Sequence, residues 1–266
     1  MYCCSVAGIL GQTPSNPRDK DSSTPLRRHM TQGFQTTRWT IVLQASSPSD
    51  SLRNQALTEL VERNWYPLYS FLRHSGKTAE QSEDLLQGFF ARVIEKNMLA
   101  GVRPHQRSRF RSFLLACLKN FAVNEFKYQQ ASIRKPEKQT LSIDFGQAND
   151  KFQIETKESI TPQQAYDRAW ALEQIEKALA EVRENWIRTG KEDQFEILKG
   201  CLVKDENLSR TKIAELLNVS KETLKVRVHR IRGEFRDALC RVISETLDDN
   251  ELLEDEINQL FSAFRS

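Results

Sequence analysis

Glycine and proline are scarce in this chain, ten and eight among 266 residues. So few turn formers leave little room for the many tight loops of a β-sandwich or barrel, and they favour helices. Cysteine is equally sparse. The five, Cys3, Cys4, Cys117, Cys201 and Cys240, are odd in number, and none is spaced with histidine as a zinc site requires. They read as free thiols of a reducing cytoplasm, and a disulfide scaffold is excluded. No apolar run approaches the ~20 residues of a membrane helix. The opening MYCCSVAGIL has no basic segment ahead of its short apolar run, so no signal peptide is expected. Catalytic signatures are missing too. There is no glycine-rich phosphate loop, no pocket-like pair of carboxylates, and the four histidines, His29, His74, His105 and His229, join no Ser/His/Asp set. Neither an enzyme nor a bound cofactor or metal is expected.

Charge is what the chain has. Charged residues make up 28% and apolar residues 39%, a balance suited to several small cores. The net charge of +3 hides a strongly uneven distribution. Residues 107–135 carry seven Lys and Arg against one acid, a net of +6. Residues 209–241 carry nine against four, a net of +5. Residues 244–266 reverse the sign, with seven acids against one arginine, a net of −6.

The pattern along the chain divides it further. Residues 1–35 are rich in Ser, Thr, Pro, Gln and Arg without periodicity, and read as a disordered extension. Residues 36–130 read as a helical domain. Within it Pro67 is expected to kink or break its helix, Gly76 to end that helix, and Thr78 with Gln81 to open the next as a capping box. Ser108 is placed to cap a third, whose inward stripe holds Phe110, Phe113, Leu114, Leu118 and Phe121. Phe126 points off that stripe. Residues 131–162 lose the period and read as an acidic linker, 163–243 as a second helical domain, and 244–266 as an acidic amphipathic helix. The fold class expected is all-α: two small helical domains joined by a flexible linker.

The second domain contains IAELLNVSKETLKVRVHRIR, residues 213–232. A short helix over Thr211–Leu217, the turn Asn218-Val219-Ser220 and a longer helix capped by Ser220 make a helix-turn-helix. Leu224, Val228, Ile231, Phe235 and Leu239 form one inward stripe. Lys221, Glu222, Lys225, Val226, His229 and Arg230 lie off it. A helix fits the major groove of DNA, and its N-terminus suits phosphate.

Here the residues resemble a known family. Ser220-Lys-Glu-Thr223-Leu-Lys225-Val-Arg227-Val-His-Arg230-Ile-Arg232 resembles the S-x-x-T-[VL]-K-x-R-[LV]-x-R-x-R of region 4.2 in bacterial sigma factors of the extracytoplasmic-function (ECF) group. Glu83-Asp84-Leu-Leu-Gln87-Gly-Phe-Phe-Ala91-Arg92 resembles the EDLxQxxFxR of region 2.2. Residues 110–125 resemble the FRxWLxxIAxNxxxD of regions 2.3–2.4. The three motifs come in the family's order and, together, span roughly residues 54–240; TTRWTIVLQA and the acidic end look like features of one subgroup. Departures are Phe113 for the usual tryptophan, Gly88 for a commoner acid, Asn124-Glu125 in place of the usual acid-containing pair, and a poor match to region 4.1 over 183–209.

The resemblance implies a dissociable initiation subunit in the cytoplasm. Asp84, Gln87, Ala91 and Arg92 would dock on the β′ clamp helices of core RNA polymerase, and the second domain on the β flap. Arg109, Arg111, Lys119, Asn120, Phe126 and Lys127 would hold the −10 element of promoter DNA as it melts. Lys221, Glu222, Lys225, Val226 and Arg230 would meet the −35 element in the groove, with Arg227 and Arg232 on phosphate and Ser220, Thr223 and His229 also against the DNA. The acidic linker would thread toward the polymerase active-site channel. An anti-sigma factor is an expected partner type, a membrane is not. The −6 tail would either pack on the second domain or fold over its basic helix as a lock. A helix-turn-helix regulator that binds DNA without joining polymerase is the alternative reading.

Overall fold

The computed structural model describes residues 50–95, 110–130, 145–146, 148–155, 160–202, 210–247 and 252–264. These form nine α-helices and no β-strand: α1 Asp50–His74, α2 Ala79–Glu95, α3 Phe110–Gln130, α4 Ala148–Glu155, α5 Pro162–Arg188, α6 Glu192–Lys199, α7 Arg210–Leu216, α8 Lys221–Ser244 and α9 Leu253–Ser262. The fold is all-α, as the shortage of glycine and proline implied. The extension over 1–35, Arg109, the Ser108 cap and most of the expected linker lie outside the described residues.

The described residues divide into two compact units. The first comprises residues 50–173 with Ile243–Ala263, the second Gln174–Val242.

In the first unit, α1 runs through Pro67 without breaking. The cost of proline inside a helix is about 3 kcal/mol. It is offset here because Tyr66, Leu68, Tyr69 and Leu72 around it are all buried in the core. At the end of α1, Gly76 takes φ +84. The Lys77 N–H then donates to the Leu72 carbonyl (3.2 Å) and the Gly76 N–H to that of Arg73 (3.0 Å), closing the helix in a left-handed turn. Two residues on, the expected capping box forms. The Gln81 N–H donates to Thr78 Oγ1 and the Thr78 N–H to Gln81 Oε1, each at 3.2 Å. Helix α2 brings Leu86, Phe89, Phe90 and Val93 to the core, where α3 adds Phe110, Leu114, Leu118 and Phe121.

The stretch read as a linker contributes to this core. Ala148 and Phe152 of α4 are buried in it, with Phe145 packed against them. The Phe145 ring meets Trp65 edge to face at 5.6 Å. The Arg73 guanidinium lies 4.1 Å from the centre of the Phe152 ring and donates to Asn149 Oδ1 at 3.0 Å. Phe145, Ala148 and Phe152 stand at i, i+3 and i+7, an apolar stripe that the mixture of acids and lysines around it obscured.

Arg111 shows the largest departure from expectation. Placed by its motif against DNA, it is instead 6% exposed. Its Nε donates to Glu256 Oε1 of α9 at 2.5 Å, and one terminal nitrogen to Gln259 Oε1 of α9 at 2.6 Å. The other terminal nitrogen pairs with Asp167 of α5. The guanidinium lies over the Trp170 ring, 4.4 Å from its centre, and the Tyr166 hydroxyl donates to the Arg111 carbonyl at 2.9 Å. Burial opposes the charge, but the bond to Glu256 and the nearby carboxylates of Glu256 and Asp167 outweigh it and hold the guanidinium above its ordinary pKa. The acidic tail thus takes neither expected place. Helix α9 belongs to the first unit, with Leu253, Leu260 and Phe261 buried and Glu256 fully so.

The second unit is built from residues 174–188 of α5, from α6 and α7, and from α8 as far as Val242. Gly190 (φ +67) ends α5 as Gly76 ends α1, with the Lys191 N–H donating to the Trp186 carbonyl at 2.9 Å. Phe195 and Leu198 of α6 fill the stretch that matched region 4.1 poorly, and both are buried. The α8 stripe forms as expected: Leu224, Ile231, Phe235 and Leu239 are buried and Val228 half-buried. Cys117, Cys201 and Cys240 are free and half-buried. Burial pushes each thiol up, against a partial pull from Arg232 and Arg210 at Cys201 and from Arg236 and Arg241 at Cys240, so all three stay protonated near neutral pH.

Arg111→Met removes the cation that Asp167 shares with the fully buried Glu256. It is expected to lower the stability of the first unit by about 3–5 kcal/mol. Gln259→Ala, which removes one neutral acceptor, is expected to cost about 1–2 kcal/mol. Urea unfolding followed by tryptophan fluorescence, with Trp170 beside the clamp, checks both.

Candidate nucleic-acid interface

Helices α7 and α8 meet through a turn set by Asn218 at φ 49, the one non-glycine residue at positive φ among those described. The Val219 N–H donates to the Ala214 carbonyl and the Asn218 N–H to that of Glu215, both at 3.0 Å. This is the same left-handed closure seen at Gly76 and Gly190, carried by asparagine, the side chain that best tolerates it after glycine. Ser220 then starts α8. Its Oγ accepts from the Thr223 N–H at 3.1 Å, and its carbonyl takes the first helical bond from Leu224 at 2.9 Å. Ile213 and Ala214 of α7 and Leu224 and Ile231 of α8 are buried, which fixes both helices in the unit.

The outer side of α8 is cationic. Lys221, Glu222, Thr223, Lys225, Val226, His229 and Arg230 are exposed, as is Lys212 on α7. Glu222 bonds its own backbone N–H and the Ser220 hydroxyl, which hold its carboxyl below the usual range, so it stays ionised amid the lysines. Arg230 is braced along the helix. Its Nε donates to Glu234 Oε1 at 2.8 Å, and the other oxygen of Glu234 accepts from Trp186 Nε1 at 2.6 Å. This bracing was invisible in the sequence, because Trp186 and Glu234 stand 48 positions apart.

Two expected phosphate contacts turn inward. Arg232 donates from Nε (3.3 Å) and a terminal nitrogen (2.9 Å) to the Cys201 carbonyl, and so closes the end of α6 instead. Arg227 is half-buried and donates to Gln194 Oε1 at 3.3 Å. Position on the helix explains both: Arg227 and Arg232 flank the buried stripe of Val228 and Ile231, within reach of α6.

The first unit carries a second polar face, on α3. Lys119, Asn120, Asn124 and Lys127 are exposed there. Phe126 is 55% exposed, and so is Val123, an apolar neighbour that the motif did not single out. The Lys119 ammonium donates to Gln163 Oε1 at 3.3 Å and lies 5.0 Å from the centre of the Phe71 ring. Phe110 and Phe121 are buried and Phe113 half-buried, as the stripe required. Arg111 is not on this face, for the reason given above.

On α2, Asp84 is exposed, Gln87 half-exposed, and Arg92 half-buried with its guanidinium 6.0 Å from the centre of the Phe121 ring. Ala91 is only 7% exposed and belongs to the core side, so the ridge there narrows to Asp84, Gln87 and Arg92. No group of three or more His, Cys, Asp or Glu side chains is disposed to hold a metal among the described residues.

Asn218→Ala puts an ordinary side chain into the left-handed turn and is expected to destabilise the second unit by about 1 kcal/mol, while Asn218→Gly is neutral or stabilising. Ser220→Ala is expected to cost about 1 kcal/mol through the lost cap. Thermal unfolding of the variants side by side checks the pair of signs. Compared with models of known protein families, with curated proteins and with solved structures, the chain matches none.

Proposed function

We propose that this chain is a sigma factor of the ECF type, a dissociable subunit that lets core RNA polymerase recognise promoters and begin transcription. The observation that carries the reading is an exposed cationic face on one compact unit and an exposed polar and aromatic face on the other. One is a capped helix shaped for a duplex groove. The other is a helix displaying Asn120, Phe126 and Lys127, groups suited to an unpaired strand. A regulator that only grips duplex DNA needs the first face and has no use for the second.

In this reading α8 enters the major groove at the −35 element. Lys221, Lys225 and Arg230 supply charge there, and salt weakens the binding accordingly. Helix α3 meets the −10 element. Phe126 offers a stacking surface worth about 1–3 kcal/mol per base, Asn120 a donor and acceptor for a flipped base edge, and Lys119 and Lys127 counter-charge for the backbone. Asp84, Gln87 and Arg92 on α2 are short or charged groups able to pair with arginines and acids of the polymerase β′ clamp helices, and the second unit would meet the β flap. The place of action would be the cytoplasm. No described helix is long and apolar enough to cross a membrane.

Run-off transcription with sigma-free core polymerase tests the proposal. Added chain is expected to start transcripts at discrete sites and to co-purify with core enzyme. DNA binding without co-purification or initiation would favour the simple helix-turn-helix regulator. Lys225→Ala and Arg230→Ala are each expected to weaken promoter binding by about 1–3 kcal/mol where the contact is to a base. Phe126→Ala is expected to leave duplex binding intact and to slow strand opening, read by permanganate reactivity of unpaired thymines.

A further inference from the structure

Val226 is 68% exposed in the second turn of α8, the most exposed of the large apolar side chains among the described residues. It adds nothing to the core, since Leu224 and Ile231 bury the opposite side of the helix. It adds nothing to the helix either, because a β-branched side chain loses rotamer freedom there. Its surroundings are charged. Lys225 and Arg227 adjoin it in sequence, and Glu222, His229 and Arg230 share its face at i−4, i+3 and i+4. An occupant of this face must therefore be a polyanion that presents an apolar group at one point.

That requirement is narrow. A membrane surface asks for several apolar side chains along one face, and among the described residues of α8 Val226 is the one large apolar side chain exposed, with Leu216 exposed on α7. The major groove of duplex DNA is walled by phosphates, and the only apolar group displayed on its floor is the 5-methyl of thymine. Double-stranded RNA offers neither, because uracil lacks the methyl and the A-form major groove is too narrow for a helix. Glu222 supports the same orientation. A carboxylate on this face is repelled by phosphate but can accept from a base amine, so the side shared by Glu222 and Val226 turns to the groove floor.

We propose that Val226 is a specificity-determining residue that packs against a thymine methyl, so that α8 reads a thymine at one fixed position of a duplex DNA site. The inference rests on the reading of α8 as a groove-entering helix. It is independent of whether the chain acts with polymerase.

The test uses the full-length chain, alone and with sigma-free core polymerase, to enrich duplexes from a randomised pool. The enriched duplexes are then remade with deoxyuridine replacing thymine at a few random positions each, which removes methyl groups and leaves every charge and hydrogen bond in place. Bound and free fractions are cleaved at uracil and compared. The expected result is depletion of uracil in the bound fraction at one thymine position, by about fourfold, the weight of one buried methyl group. Val226→Ala is expected to abolish depletion at that position and to leave the remaining preferences, including those erased by Lys225→Ala, unchanged. Enriched duplexes that tolerate uracil everywhere would overturn the thymine assignment and leave the groove-binding helix standing. Failure to enrich any duplex would remove that helix reading, and the thymine with it.

Discussion

A single buried cation organises the first unit. Arg111 sits between carboxylates from α5 and α9, with an amide and an indole completing its shell. A lone guanidinium or a lone carboxylate in that position would be severely penalised by desolvation, so neither side can be buried without the other. The pairing therefore fixes where α9 lies, and with it which side of α3 is inward. Lys119, Asn120, Phe126 and Lys127 face solvent because Arg111, Leu114, Leu118 and Phe121 cannot. The proposed strand-binding face is in this sense a by-product of a clamp placed on the other side of the same helix.

In the second unit the organising device is conformational. Asn218 in the left-handed region and Ser220 on the Thr223 amide set the start of α8 within three residues. From there a fixed helical period sorts the side chains: Leu224, Ile231, Phe235 and Leu239 onto the core, Lys221, Lys225 and Arg230 outward. The electrostatic reach of such a face is long and nonspecific, whereas base recognition needs groups held to within hydrogen-bond distance. The brace from Trp186 through Glu234 to Arg230 restrains one of the cations.

Local chemistry was legible in the sequence and distant chemistry was not. Gly76, the Thr78–Gln81 box, the Ser220 cap and the Leu224–Leu239 stripe depend on neighbours within a few positions, and each forms as read. Arg111, Arg227 and Arg232 looked alike as basic residues beside apolar stripes. Their fates were decided by Glu256, Gln194 and the Cys201 carbonyl, partners 145, 33 and 31 positions away. Ala91 misled because a small residue carries no sign of which side it faces. Helix α4 was missed because eight residues with one clear aromatic hold too little periodicity to stand out. The acidic end announced that it would seek a cation without naming which one, and it found a buried arginine instead of the exposed lysines.

The clamp also sets an order of assembly during synthesis. Residues 174–242 emerge between the two halves of the first unit and bury a core of their own. They can fold as soon as they clear the ribosome. The first unit must wait for Glu256 and Gln259, so through the making of some 145 further residues Arg111 lacks its bond to Glu256. During that interval its apolar surface is incompletely covered. A chain cut short anywhere after Val242 and before Glu256 would then carry a finished second unit on an unfinished first one, the kind of partly folded product that chaperones and proteases remove.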